Sequence, residues 1–158
     1  MEVDEGSMSP VINTLTVFLF AVMNGILAMS EIAVVSARKA RLRRAAEMGD
    51  ERAEAALVLA QDPTDFLATI QIGITMIGIV AGAFGEATLS RYIGSALSSI
   101  PVLRPYADAI AITLVVMGVT YISLVIGELV PKRLALTNPE RVASLVAGPM
   151  QALARIAR

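Results

Sequence analysis

Three apolar stretches, at residues 11–35, 66–84 and 109–130, decide most of what this chain can fold into. Each is long enough to cross a hydrocarbon core about 30 Å thick, for which roughly 20 helical residues suffice. In that medium the backbone must satisfy its own hydrogen bonds, so helices are expected and open sheets are not. Hydrophobic residues make up 56% of the chain and charged residues 17%, which favours lipid-facing spans over three buried helices of a soluble α-protein. The expected fold class is therefore an all-α membrane protein with three transmembrane helices and amphipathic helices at the cytoplasmic surface. The first stretch is too long, and too polar at its end, for a cleaved signal peptide, and it reads as a retained span.

The charges orient these spans. Arg38, Lys39, Arg41, Arg43 and Arg44 follow the first, and Lys132, Arg133, Arg141, Arg155 and Arg158 follow the third. Between the second and third stand only Arg91 and Arg104, and residues 1–10 have no basic side chain. By the positive-inside bias the N-terminal segment, 1–10, is expected outside and the C-terminus in the cytoplasm, in a multi-pass protein of the inner (plasma) membrane. The run "ARKARLRR" abuts a span and has no interleaved aromatics, so it reads as a topology signal or an anionic-lipid contact. No nucleic-acid partner is expected.

The connections carry helix punctuation. Residues 37–61 are rich in Ala, Arg and Glu and predict a cytoplasmic helix or helix pair interrupted at Gly49. In "DPTDF", Asp62 is the expected cap, with Pro63 in the first helical position and Asp65 in the first turn. The second span then places Thr75, Gly78, Gly82 and Gly85 at intervals of three or four. Such a stripe lets another helix come close, within the bundle or across a dimer. Residues 87–108, with two prolines, predict an outer connection with room for a short helix of its own. "TNPER" repeats the start signal at Asn138 and Pro139. The apolar positions Val142, Leu145, Val146, Met150, Leu153 and Ile156 then predict an amphipathic helix over about 139–157, lying in the interface.

Two acids lie within the spans. Glu128 ends the third, in "SLVIGELVPKRL", beyond a face that carries Thr113, Thr120, Ser123 and Gly127. Pro131 has no N–H, so it is expected to break the helix and to deprive the Gly127 carbonyl of its usual partner. Carboxylate, freed carbonyls and the negative helix end together suit a hard cation or an organic ammonium. The simpler alternative is a Glu128–Lys132 pair at the membrane boundary, worth about 0.2–0.5 kcal/mol. Glu31 lies at a similar depth on the first span, beside Ser30 and seven residues after Asn24. Ionisable groups inside spans are costly and face the protein interior or a hydrated path. The two acids together thus favour a cation pathway, with Glu128, Gly127, Ser123, Glu31, Ser30 and Asn24 as candidate cation-binding residues. The chain has neither Cys nor His, which removes disulfides, thiolate metal sites and the commonest general base; no enzyme is expected.

The segments "AMSEIAVVSARKARL", "FLATIQIGITMIGIVAGAFGE" and "GELVPKRLAL", in this order, resemble the transmembrane domain shared by the CorC, hemolysin-like and cyclin M magnesium transporters. The resemblance covers residues 10–158. It implies a homodimer in the lipid bilayer, each protomer with three transmembrane helices and a belt helix. It also implies a following cytoplasmic CBS pair, absent from this chain, where ATP would bind; no organic cofactor is expected in the chain itself. The cargo it implies is Mg²⁺, with Glu128 as the metal ligand carried over from the "GE-x-x-PK" motif. The positions of the first-helix serine and of the polar second-helix pair hold Ala28, Ile74 and Gly78, which offer no side-chain oxygen. Ser30, Thr75, Thr120 or water would have to complete a different site. The "TIQIGIT" form of the second helix resembles a hemolysin-like subgroup, some of whose relatives are linked to polyamine export. The leading expectation is thus the membrane domain of an Mg²⁺ or similar divalent-cation exporter. The alternatives are an exporter of polyamines such as putrescine or cadaverine, and a non-transporting anchor or sensor for a cytoplasmic regulatory domain.

Overall fold

The computed structural model describes residues 9–156, with side chains through residue 149. Residues 1–8, and the side chains of Met150, Leu153, Arg155, Ile156 and Arg158, lie outside the described residues. The described residues are almost all helical and contain no strand. Its helices are α1 (Pro10–Ser36), α2 (Lys39–Glu47), α3 (Glu51–Gln61), α4 (Thr64–Ser98), α5 (Ala107–Leu124), α6 (Val130–Thr137) and α7 (Pro139–Ile156). A 3₁₀ turn at Arg104–Tyr106 precedes α5, and a π-helical turn at Val125–Leu129 joins α5 to α6. Three of these rods, Pro10–Ser36, Thr64–Ser98 and Arg104–Thr137, are long and apolar enough to cross a membrane.

The caps follow the sequence closely. Ser9 accepts from the Ile12 N–H at 3.4 Å, with Pro10 opening α1. Gly49 takes φ 92°, a left-handed conformation that glycine adopts without steric cost, and so separates α2 from α3. Asp50 then caps α3, accepting from the N–H groups of Arg52 and Ala53 at 3.0 and 3.2 Å. Asn138 accepts from the Arg141 N–H at 3.4 Å and opens α7 at Pro139. Asp62 bonds to the N–H of Thr64 at 3.4 Å, while Pro63 holds the cap position, one residue outside the helix.

Two expectations are corrected. Residues 87–98, assigned to an outer connection, continue α4, whose 35 residues span about 52 Å at 1.5 Å per residue. Nothing in that stretch stops a helix until Pro101, and at Gly94 the helix runs close to α5: a Cβ there would stand 3.2 Å from Asp108 Oδ1. Pro131 disturbs the third rod but does not break it. The π-turn absorbs the missing donor, and helix continues to Thr137.

Helix α1 is the central element. Asn13, Val17, Ala21, Asn24, Gly25, Ala28, Ala33 and Val34 are buried along it, and it packs against α4, α6, α7 and the π-turn. At the end carrying the basic residues, hereafter the basic end, the core is built largely of alanine. Ala33, Ala53, Ala56, Ala135, Ala143 and Ala147 are almost wholly buried there, with Leu42 and Ile70 as the larger fillers. Small side chains let helices approach closely where lipid offers no hydrophobic drive between them. The buried face of α7 is accordingly Ala143 and Ala147, whereas Leu145 of the expected apolar stripe is exposed. The other end holds a smaller cluster of Val17, Val115 and Val119, flanked by Phe84. Large residues such as Ile72, Met76, Ile79, Val116, Met117 and Tyr121 are exposed on α4 and α5, as lipid-facing positions would be.

Candidate functional site

Pro131 determines the local backbone. It offers no N–H to the carbonyl of Gly127, four residues earlier. The helix widens there, and the Val130 N–H bonds to the Val125 carbonyl five residues back. Single π-turns inside α-helices are rare and concentrate at functional sites. The Gly127 carbonyl finds its partner on α1, where Asn24 Nδ2 donates to it at 3.2 Å. Glycine on both sides makes this joint possible. A Cβ on Gly25 would stand 2.8 Å from Pro131 Cγ and 2.9 Å from the Ile126 carbonyl, and one on Gly127 would stand 3.2 Å from the Ala21 carbonyl.

Beside the joint, a groove of about 270 Å³ is lined by Asn24 of α1, Gly78 and Gly82 of α4, and Val119, Thr120, Ser123, Leu124 and Glu128 of the third rod. All three membrane-spanning rods contribute to it. Asn24 is 9% exposed, and its Oδ1 is buried without a hydrogen-bond partner. An unpaired buried acceptor costs about 1–3 kcal/mol unless something reaches it. Oxygen-bearing side chains of three kinds thus line the groove, an amide, two hydroxyls and a carboxylate, with the amide oxygen itself buried.

The two membrane acids meet through one cation. Lys132 Nζ lies 2.8 Å from Glu128 Oε1 and 3.7 Å from Glu31 Oε2. The Glu128–Lys132 pair at the spacing of one helical turn is thus present, and the fold adds Glu31 from α1 to the same ammonium. Two carboxylates and one ammonium leave this triad with one negative charge. Glu128 belongs both to the triad and to the groove, so the two are continuous.

Of the other residues singled out in the sequence, Ser123 and Asn24 line the groove, and Glu31 joins it through Lys132. Ser30 does not. It is completely buried, and its hydroxyl donates to the Ile26 carbonyl at 2.7 Å, within its own helix. The small-residue stripe of α4 divides. Gly85 packs inside the chain, where a Cβ would stand 2.7 Å from Val119 Cγ2, while a Cβ on Gly78 or Gly82 would meet nothing within 4 Å. Thr75 is exposed, with its hydroxyl bonded back to Gln71. No group of three or more Asp or Glu side chains close enough to hold a metal occurs among the described residues. The contact between Asn24 and Gly127 was not anticipated, although an Asn-Gly pair inside an apolar span was a usable signal for a close, polar helix crossing.

Residues 14–158 match the family model described as "Cyclin M transmembrane N-terminal domain". The chain is 50% identical over 140 residues to the UPF0053 protein sll0260 of Synechocystis sp., covering 89% of this chain and 31% of that protein. It is 34% identical over 139 residues to the polyamine export protein of Haemophilus influenzae, covering 86% of this chain and 31% of the relative. It is 25% identical over 140 residues to the UPF0053 protein YugS of Bacillus subtilis, covering 89% and 33%. The chain thus spans about a third of the length of these curated relatives.

Proposed function

Because the chain belongs to the cyclin M transmembrane domain family, which takes in the CorC and hemolysin-like proteins, we propose that it is the membrane part of a cation exporter whose cargo is an organic di-ammonium of the polyamine class. The observation that carries this reading is the triad. Glu31 and Glu128, on two different rods, already hold a primary alkylammonium, that of Lys132, and a polyamine offers the same group on a similar methylene chain. The groove beside Glu128 is lined by the hydroxyl-bearing Thr120 and Ser123, which suit a second ammonium. The name of the Haemophilus relative points the same way.

Mg²⁺ is the second reading. It is supported by the unpartnered Asn24 Oδ1 beside Glu128, Thr120 and Ser123, all oxygen ligands of the kind a hard cation takes. Ala28, Ile74 and Gly78 offer no side-chain oxygen to such a site, whereas an ammonium needs no octahedral cage.

The basic end is taken to face the cytoplasm of the inner membrane, by the distribution of Lys and Arg. A homodimer is part of the proposal, with the open α4 face of Gln71, Thr75 and Gly78 turned to the partner; polar groups facing lipid alone would be costly. The test is flux of putrescine and of Mg²⁺ from proteoliposomes carrying the protein or its Glu128→Gln variant. Putrescine flux abolished in a folded variant is expected, and normal flux in that variant would overturn the proposal. A protein that moves neither cation would support the anchor or sensor alternative.

A further inference from the structure

Lys132 occupies the acids that the proposed cargo needs. Glu31 and Glu128 carry two negative charges, and the Lys132 ammonium, 2.8 Å from one and 3.7 Å from the other, returns one positive charge. This ammonium is covalently tethered, so its local concentration at the acids is about millimolar or higher without any cost of bringing in a free molecule. The flexible stem can also withdraw it, because lysines near the ends of membrane helices reach readily to the interface. From this geometry we infer that Lys132 is a specificity-determining residue: a tethered counter-cation that cargo must displace, so that the acid pair admits dications and rejects monocations.

The reason is one of charge. A monovalent amine arriving at Glu31 and Glu128 replaces one positive charge with another and gives up the advantage of the tether. A dication neutralises both carboxylates once Lys132 has left, or holds Glu128 with one charge and reaches toward Thr120 and Ser123 of the groove with the other. Putrescine and butylamine, which share a four-carbon chain and differ by one ammonium, are the discriminating probes. After cargo leaves, Lys132 returns to the acids, and the empty site is never left with two uncompensated charges within the membrane. The inference rests on Glu128 being the cargo-binding acid, as proposed above.

The experiment is calorimetric titration of putrescine and butylamine into the purified protein and into Lys132→Met, Lys132→Arg and Glu128→Gln. Wild type and Lys132→Arg are expected to bind putrescine and not butylamine. Lys132→Met is expected to bind putrescine at least about tenfold more tightly and to acquire butylamine binding. Unchanged affinities in Lys132→Met, with binding lost in Glu128→Gln, would overturn the role of Lys132 alone. Full binding in Glu128→Gln would overturn the underlying site reading as well. Acylation of wild-type protein by an amine-reactive reagent, followed by mass spectrometry, needs no variant that might misfold. The chain has only two lysines, and exposed Lys39 is the internal reference. Saturating putrescine should raise Lys132 labelling severalfold against Lys39, and an unchanged ratio would contradict displacement.

Discussion

Gly85 and Gly78 stand seven residues apart on α4 and serve opposite ends. At Gly85 the helix is pressed against α5, so closely that one added carbon would collide with Val119. At Gly78 the same helix faces open space and lines the groove that leads to Glu128. A stripe of small residues therefore has two uses in one helix. At one level it closes the protomer, and at the other it keeps room beside a polar site. Periodicity alone could not separate them, because the spacing of three and four runs unbroken through both.

Identical substitutions on the two faces probe this difference most strongly. Gly85→Leu should cost about 3 kcal/mol or more, the upper end of overpacking, read as loss of folded protein or a large fall in thermal midpoint in detergent. Near-wild-type stability would mean that α4 and α5 separate easily. Gly25→Ala forces a Cβ against the Pro131 ring and the Ile126 carbonyl, neither of which can turn away, and an intermediate loss of about 2 kcal/mol is expected. Asn24→Ala leaves the Gly127 carbonyl unpaired but also removes the unpartnered Oδ1, so a net loss of no more than about 1 kcal/mol is expected; a raised melting temperature would show that the π-turn needs no such tie. Gly78→Leu comes last. It should change protomer stability by no more than about 0.5 kcal/mol, since an added Cβ there meets nothing within 4 Å among the described residues. Its effect should appear in assembly, read by light scattering, and in flux. A stable, dimeric and active Gly78→Leu would place this face against lipid and remove the distinction drawn here.

Much of the fold was legible in the sequence because the signals were local. Apolar length marked the three spans, and Gly49 and Asn138 marked helix boundaries through the dihedral angle and the hydrogen bond they adopt. The far end of α4 was misread because prolines at 101 and 105 coloured the whole of residues 87–108, although the stretch before them has no stop signal. Pro131 reads as a break from sequence alone. A missing N–H removes one hydrogen bond, and a π-turn with a side-chain donor from α1 supplied another way to continue. The alanine core of the basic end was also hidden, since alanine carries little weight in a hydrophobic stripe and is favoured where helices must touch.

The candidate site was half visible. Glu128, Ser123 and Asn24 were found from their polarity inside apolar spans, and they do share a groove. Ser30 carries the same signal but lies outside the groove, its hydroxyl bonded on its own helix to the carbonyl four residues back. The meeting of Glu31 with Glu128 over Lys132 depends on the crossing of α1 with the third rod, which sequence spacing does not encode. The Glu128–Lys132 pair, read from sequence as the plain alternative to a binding site, is part of the candidate site itself.

The central claim is that the acid before the proline binds the cargo, and putrescine binding to wild type and Glu128→Gln, followed by calorimetry with Mg²⁺ in parallel, tests it most directly. Saturable putrescine binding in the wild type, abolished in a Glu128→Gln protein that melts at a similar temperature, is the predicted result. Putrescine binding of equal strength in both proteins would contradict it.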